Sequence, residues 1–186
     1  MKKLMFILAA VAMAASVQAA SVSWTCTNVY AGNDSDKVSG VAYFLTTDML
    51  AYSDAQALAG KGKTAITTAL GSAYSFNGSA GTFSVSSPGV ANATLGLSDG
   101  ADYTAYLMIF DSATITDESK FYLTATKGLT TYTGADDTTS VKWQSQATAS
   151  KQASGWASAT GGVPEPTSGL LLLIGGAMLA LRRKQK

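Results

Sequence analysis

The chain has 186 residues; 47% are hydrophobic, 13% are charged, and 13 Lys+Arg nearly balance 12 Asp+Glu. It contains no histidine and a single cysteine. That excludes Ser-His-Asp and Cys-His nucleophiles, His-ligated zinc, imidazole pH switching and a disulfide within the chain.

The first residues read as an export signal. Lys2 and Lys3 precede an apolar run over 4–15, followed by Ser16-Val17-Gln18-Ala19-Ala20. A cationic start, a short greasy segment and small residues at a cleavage site define a secretory signal peptide. The cut is expected after Ala19, giving a signal over 1–19, with a cut after Ala20 as the alternative. No cysteine follows the run directly, so lipoprotein processing is not expected.

Residues 20–147 are expected to form one exported domain, long enough to bury a normal core. Ser, Thr, Ala and Gly dominate, with regularly spaced aromatics, which suits β-structure with small-residue turns. Val22, Trp24 and Cys26 alternate on one face of a first strand, and Val41, Tyr43 and Leu45 on one face of the next. Asp54 is placed to cap a short helix over 55–59, and a second helix is expected over 64–70 after the Gly60-Lys61-Gly62 break. Asn77-Gly78-Ser79-Ala80-Gly81 is a hairpin signal leading into a strand with Phe83 and Val85.

Residues 103–110 are apolar or aromatic on both faces, with Tyr103, Ala105, Leu107 and Ile109 against Tyr106, Met108 and Phe110. This predicts a central strand buried on both sides. Strands are also expected over 121–126, over 140–144 around Val141 and Trp143, and at Trp156. Apart from Trp156, residues 148–162 are rich in Ser, Ala and Gly, and they are expected to form a flexible linker. The expected fold is mainly β: a single β-sandwich-like domain with a short helical insertion, followed by a C-terminal hydrophobic helix.

The tail, 163–186, has three parts in order. Val163-Pro164-Glu165-Pro166 is extended, because each proline fixes its own φ and disfavours helix in the residue before it. Residues 167–181 carry no charge and favour helix once lipid forces the backbone to pair internally. Fifteen helical residues reach roughly 22 Å against a hydrocarbon core of about 30 Å, a gap that side-chain snorkelling and local thinning can close. Arg182-Arg183-Lys184 then stops the run. Between the cationic ends, seven lysines face eleven acids, a formal charge of −4 over 20–162. Basic ends and an acidic translocated middle fit the positive-inside rule, and the acidic body disfavours a nucleic-acid partner.

Val163-Pro164-Glu165-Pro166, the apolar run with Gly175-Gly176, and Arg182-Arg183-Lys184 closely resemble the PEP-CTERM sorting signal of Gram-negative bacteria that make extracellular polysaccharide. Gln185 is a mild departure from an all-basic end. The resemblance implies that a membrane-embedded exosortase, a cysteine transpeptidase-like enzyme, handles the tail and cuts near Pro-Glu-Pro. The tail would then be a transient membrane anchor and the product a cell-surface or extracellular-matrix protein. On this reading Val163, Pro164, Glu165 and Pro166 are the recognition element, and Arg182 and Arg183 are the membrane stop. The resemblance covers the tail alone and is silent on the domain.

Within the domain, several residues invite a chemical reading. Cys26 alternates with Val22 and Trp24, which favours a buried small hydrophobe over a reactive thiol. Residues 57–64 end in Gly62-Lys63-Thr64 and superficially resemble a phosphate-binding loop, but Ala57 replaces its first glycine, so a lysine-bearing turn is expected. The pairs Asp34/Asp36, Asp99/Asp102, Asp117/Glu118 and Asp136/Asp137 suit Asx-turns and caps, with a Ca2+ site at either of the first two as the sharper alternative. Asn33, Asn77 and Asn92 begin Asn-x-Ser/Thr triplets that are read as turn chemistry.

Three function classes remain. The leading expectation is a non-enzymatic exported protein, structural or adhesive, associated with extracellular polysaccharide and using no cofactor. The second is a carbohydrate-binding module whose platform is formed by Trp24, Trp143 and Trp156 with several tyrosines, against core packing of the same residues. The third is a His-free hydrolase working through two carboxylates.

Overall fold

The computed structural model describes residues 19–134 and 136–160. Within them the alternating runs become nine strands: β1 (Ser21–Cys26), β2 (Gly40–Thr46), β3 (Ser75–Gly78), β4 (Phe83–Ala91), β5 (Asp102–Phe110), β6 (Lys120–Leu123), β7 (Lys127–Thr130), β8 (Thr138–Trp143) and β9 (Trp156–Ser158). Three short helices join them: α1 (Tyr52–Ala57), α2 (Gly62–Leu70) and α3 (Ala147–Ser150). The fold is mainly β. One sheet has the order β4-β1-β8, and the other has the order β3-β2-β5-β6-β9 with β7 also paired to β5. Every pairing is antiparallel except that of β1 with β8.

The side-chain period of two explains how these strands stack. On β5, Ala105, Leu107 and Ile109 join Val22, Trp24 and Cys26 of β1 and Val141 and Trp143 of β8 in one core cluster, between the two sheets. Tyr106, Met108 and Phe110 point the other way, into a second cluster with Ala55 of α1 and Ile66 and Leu70 of α2. β5 is therefore buried on both faces, as its double apolar pattern predicts. Val41, Tyr43 and Leu45 of β2 also lie on the helical side, while Ala42 and Phe44 face the small sheet. Aromatic contacts tie the sheets together: Trp24 stacks on Phe44 at 4.7 Å and meets Phe76 edge-on at 5.2 Å. Such pairs add roughly 0.5–1.5 kcal/mol each beyond the area they bury.

Three expectations change here. α1 begins after Ala51 and has no side-chain cap, so Asp54 is not a cap residue; it lies in the first turn, where a carboxylate favours the helix dipole. The Asn77–Gly81 signal does make a tight turn, with Ser79 bridged to Thr82 and positive φ at Ala80 and Gly81. Its strands then part, β3 pairing with β2 and β4 with β1, so the turn links two sheets instead of closing a hairpin. Gly78 permits this crossover, because a Cβ there would run into the buried Phe83 ring.

The third change concerns 148–162. Through Thr160 this stretch is folded onto the domain. Trp156 is 9% exposed, and its indole Nε1 donates to the carbonyls of Tyr30 and Ser150, both at 2.9 Å. Ser150 is buried, accepts the Tyr30 N–H at 2.9 Å and donates to Gln146 O at 2.7 Å. Small residues here signal close approach and not mobility: a Cβ on Gly155 would strike the Ala149 carbonyl.

Candidate functional site

The two ends of the described chain are each held by backbone bonds. Ala19 is exposed, but Ala20 is buried, and its carbonyl accepts the Asn92 N–H at 2.9 Å. The Ser21 N–H donates to the Asp137 carbonyl at 3.0 Å as β1 begins. At the other end, Gly60 N–H bonds Ser158 O at 2.8 Å and Gly62 N–H bonds Ala159 O at 2.7 Å. Ala159 N–H reaches Ser119 O at 2.8 Å, and Thr160 Oγ1 donates to Asp117 O at 2.9 Å. The α1–α2 turn thus clasps the last described segment of the chain, through Thr160. Val163, Pro164, Glu165, Pro166, Arg182 and Arg183 lie outside the described residues, as do the expected signal peptide over 1–19, apart from Ala19, and the apolar run expected to form a membrane helix. No helix among the described residues is long and apolar enough to cross a membrane.

Lys61 and Lys63 sit in that clasp. Their turn serves the fold: the Lys63 N–H donates to Asp117 Oδ1 at 2.7 Å, which supplies an acceptor at the start of α2. Asp34, Asp36, Asp99 and Asp102 are also engaged in hydrogen bonds or an ion pair. Asn33 Oδ1 accepts the Ser35 and Asp36 N–H groups at 3.0 and 2.7 Å, an Asx-turn, and its Nδ2 donates to Asp36 Oδ2 at 2.9 Å. Asp34 pairs with Lys151 at 3.7 Å. Asp99 accepts from Asn92 Nδ2 at 2.7 Å, and Asp102 accepts from Thr130 Oγ1 at 2.6 Å. No three His, Cys, Asp or Glu groups among the described residues come close enough to hold a metal ion.

Cys26 is fully buried, and burial pushes its thiol up to about 12. It packs as a small hydrophobe. Tyr122 is pushed up to about 12, first by burial and then by the neighbouring Cys26 and Tyr52; its hydroxyl donates to Gln146 Oε1 at 2.7 Å. Tyr106 is raised further, by burial and then by Tyr52 and Asp54, and donates to the Leu50 carbonyl at 2.7 Å. Desolvation of the charged form dominates all three.

The tryptophan platform is not formed. Trp24, Trp143 and Trp156 are 1%, 2% and 9% exposed, because each alternates inward on its strand. Gly96-Leu97-Ser98-Asp99-Gly100 has the spacing Gly-x-Ser-x-Gly, a pattern the sequence carries but whose geometry is not a nucleophile elbow. Ser98 follows a 3-10 turn (Asn92–Leu95) and precedes β5, the reverse of a strand-to-helix elbow, and its N–H and C=O bond Tyr103 Oη and Thr131 Oγ1.

What the sequence did not signal are two surface cavities. The larger, about 540 Å3, lies among Met49, Leu70, Ser72, Thr94 and Leu95. The smaller, about 280 Å3, is bordered by Tyr52 and Gln56 of α1, Phe121 and Leu123, and the turn into β9. The first lining joins two segments between Met49 and Gly96 and the second joins segments about a hundred positions apart, so no local motif marks either. No protein-family model matches the chain, and neither a curated protein nor a solved structure does.

Proposed function

We propose that this chain is an exported cell-surface or extracellular-matrix protein, structural or adhesive in role, that is delivered through a PEP-CTERM sorting tail. The observation that carries the reading is the ordered tail itself: Val163-Pro164-Glu165-Pro166, an uncharged run, then Arg182-Arg183, matched by a secretory signal at the other end. Its working partners are an exosortase-type enzyme, the membrane while the tail is inserted, and extracellular polysaccharide afterwards. The two facing sheets are read as a sandwich, a scaffold that exposes loops and small polar side chains to the matrix.

Both expected cuts spare the packed domain, which supports the reading. Removal of 1–19 keeps Ala20 and its bond to Asn92, whereas a cut after Ala20 would delete that carbonyl. Cleavage near Pro164–Pro166 leaves Thr160 and the α1–α2 clasp in place. Glu165→Ala, or replacement of either flanking proline, is expected to leave full-length protein in the inner-membrane fraction. Release of these variants at the wild-type level, judged by fractionation and immunoblotting, would contradict the proposal.

A further inference from the structure

The helical side of the larger sheet is only partly roofed. α1 and α2 pack over β2 and β5 through Ala55, Ile66 and Leu70, and they extend about 9 and 13 Å at 1.5 Å per residue. The α1–α2 turn bonds β9 at Ser158, yet a depression remains beside α1, over β6 and the turn into β9. The 280 Å3 cavity occupies that depression. Its base is the half-buried Leu123, backed by the buried Phe121 of the helical-side cluster. Gly155, Trp156 and Ala157 of the turn into β9 border it, and the Trp156 indole itself is turned to the opposite face, into the core between the sheets.

The polar groups at the cavity are all neutral. Tyr52, Gln56 and Ser154 line it, and no hydrogen bond ties their side chains to another described residue, unlike those of Tyr106 and Trp156. Hydroxyls and an amide both donate and accept, which matches the hydroxyls of a sugar. The apolar base and the Tyr52 ring match the C–H face of a pyranose. An anionic sugar or a phosphate would lose hydration here without meeting a cation, and a purely apolar ligand would strand three polar tips. The volume lies below the roughly 300–1,000 Å3 typical of drug-sized ligands, a scale suited to one ring. The larger cavity lacks an aromatic face.

We propose that Tyr52, Gln56 and Ser154 form a binding subsite for a neutral hexose unit of extracellular polysaccharide. The assignment rests on the surface-protein reading above and gives it a point of contact.

The test uses the full-length chain in an amine-oxide detergent, titrated calorimetrically with neutral β-glucan and α-mannan tetrasaccharides and with a galacturonic acid tetramer. Saturable binding of a neutral tetrasaccharide is expected, with the acidic tetramer at least about tenfold weaker. The Gln56→Ala/Ser154→Ala double variant should lose about tenfold in affinity, the scale of one hydrogen bond. Its melting temperature should not move, since both side chains are exposed. No saturable binding of either neutral sugar at millimolar concentration, tighter binding of the acidic tetramer, or neutral-sugar binding unaffected by the double variant would overturn the subsite. Fractionation of the same variant separates this failure from that of the larger reading: normal release without sugar binding removes only the subsite. A wild-type chain that never leaves the cytoplasm removes the surface-protein reading.

Discussion

Replacing Trp156 with alanine tests the part of the fold that the sequence hides best. The side chain is 9% exposed, and its ring packs against Tyr122 at 5.7 Å between centroids. A tryptophan buries about 200 Å2, worth about 5 kcal/mol at roughly 25 cal/mol per Å2. Partial collapse of the site and the retained Cβ bring the expected loss to about 3–5 kcal/mol, the usual range for a buried aromatic cut to alanine. The carbonyls of Tyr30 and Ser150 also lose their indole donor, and Ser150 is itself buried, which keeps the loss at the upper part of that range. Against a total stability of about 5–15 kcal/mol this is a large fraction, and it should lower Tm by about 10–15 °C. Urea and thermal melts followed by circular dichroism read both quantities. Tyr132→Ala is the control: that residue is 51% exposed, and its replacement should change stability by no more than about 0.5 kcal/mol. If Trp156→Ala costs less than about 1 kcal/mol, residues 148–160 are a loose linker after all, and the packing argument fails.

Other perturbations probe separate features. Gly78→Ala drives a Cβ into the Phe83 ring at the crossover between sheets and should cost about 1–3 kcal/mol in a urea titration; a neutral result would mean the ring has room to move. Asp117→Ala removes the acceptor for the Lys63 N–H at the start of α2 and should cost about 1 kcal/mol, since the site is exposed. Burial raises the Cys26 thiol from 9.0 to about 12, so the unfolded chain releases that proton first. Stability is therefore fully present below pH 9 and falls as pH rises toward 12, with Tyr122 adding to the fall above pH 10. Cys26→Ala should flatten the early part of that decline. In the native protein a thiol reagent at pH 8 should label Cys26 only after denaturation.

Strands whose chemistry alternates were legible without coordinates. The inward faces of β1, β2 and β8, and the double burial of β5, follow from a side-chain period of two and the placement of large apolar residues. Other features were not legible, for different reasons. Composition over 148–160 looks like a tether because small residues suit both mobile chain and close packing, and only the partners of Trp156 and Ser150 distinguish the two. The 77–81 turn encodes local geometry, yet which sheet each strand joins depends on distant edges of β1 and β2. Tryptophan placement misleads in the same way: an aromatic row in the sequence says nothing about which side of a sheet is wet until both sheets are positioned. The cavity residues Tyr52, Gln56 and Ser154 carry no sequence signal at all, because the concave surface lies between α1 and the turn into β9, about a hundred positions apart in the chain.

Intact mass spectrometry of the protein recovered from its native host tests the central claim most directly. The account predicts an extracellular or surface-bound product that starts at Ala20 and ends near Pro164–Pro166, without the apolar run or Arg182 and Arg183. A soluble cytoplasmic chain that keeps both Met1 and Lys186 would contradict it.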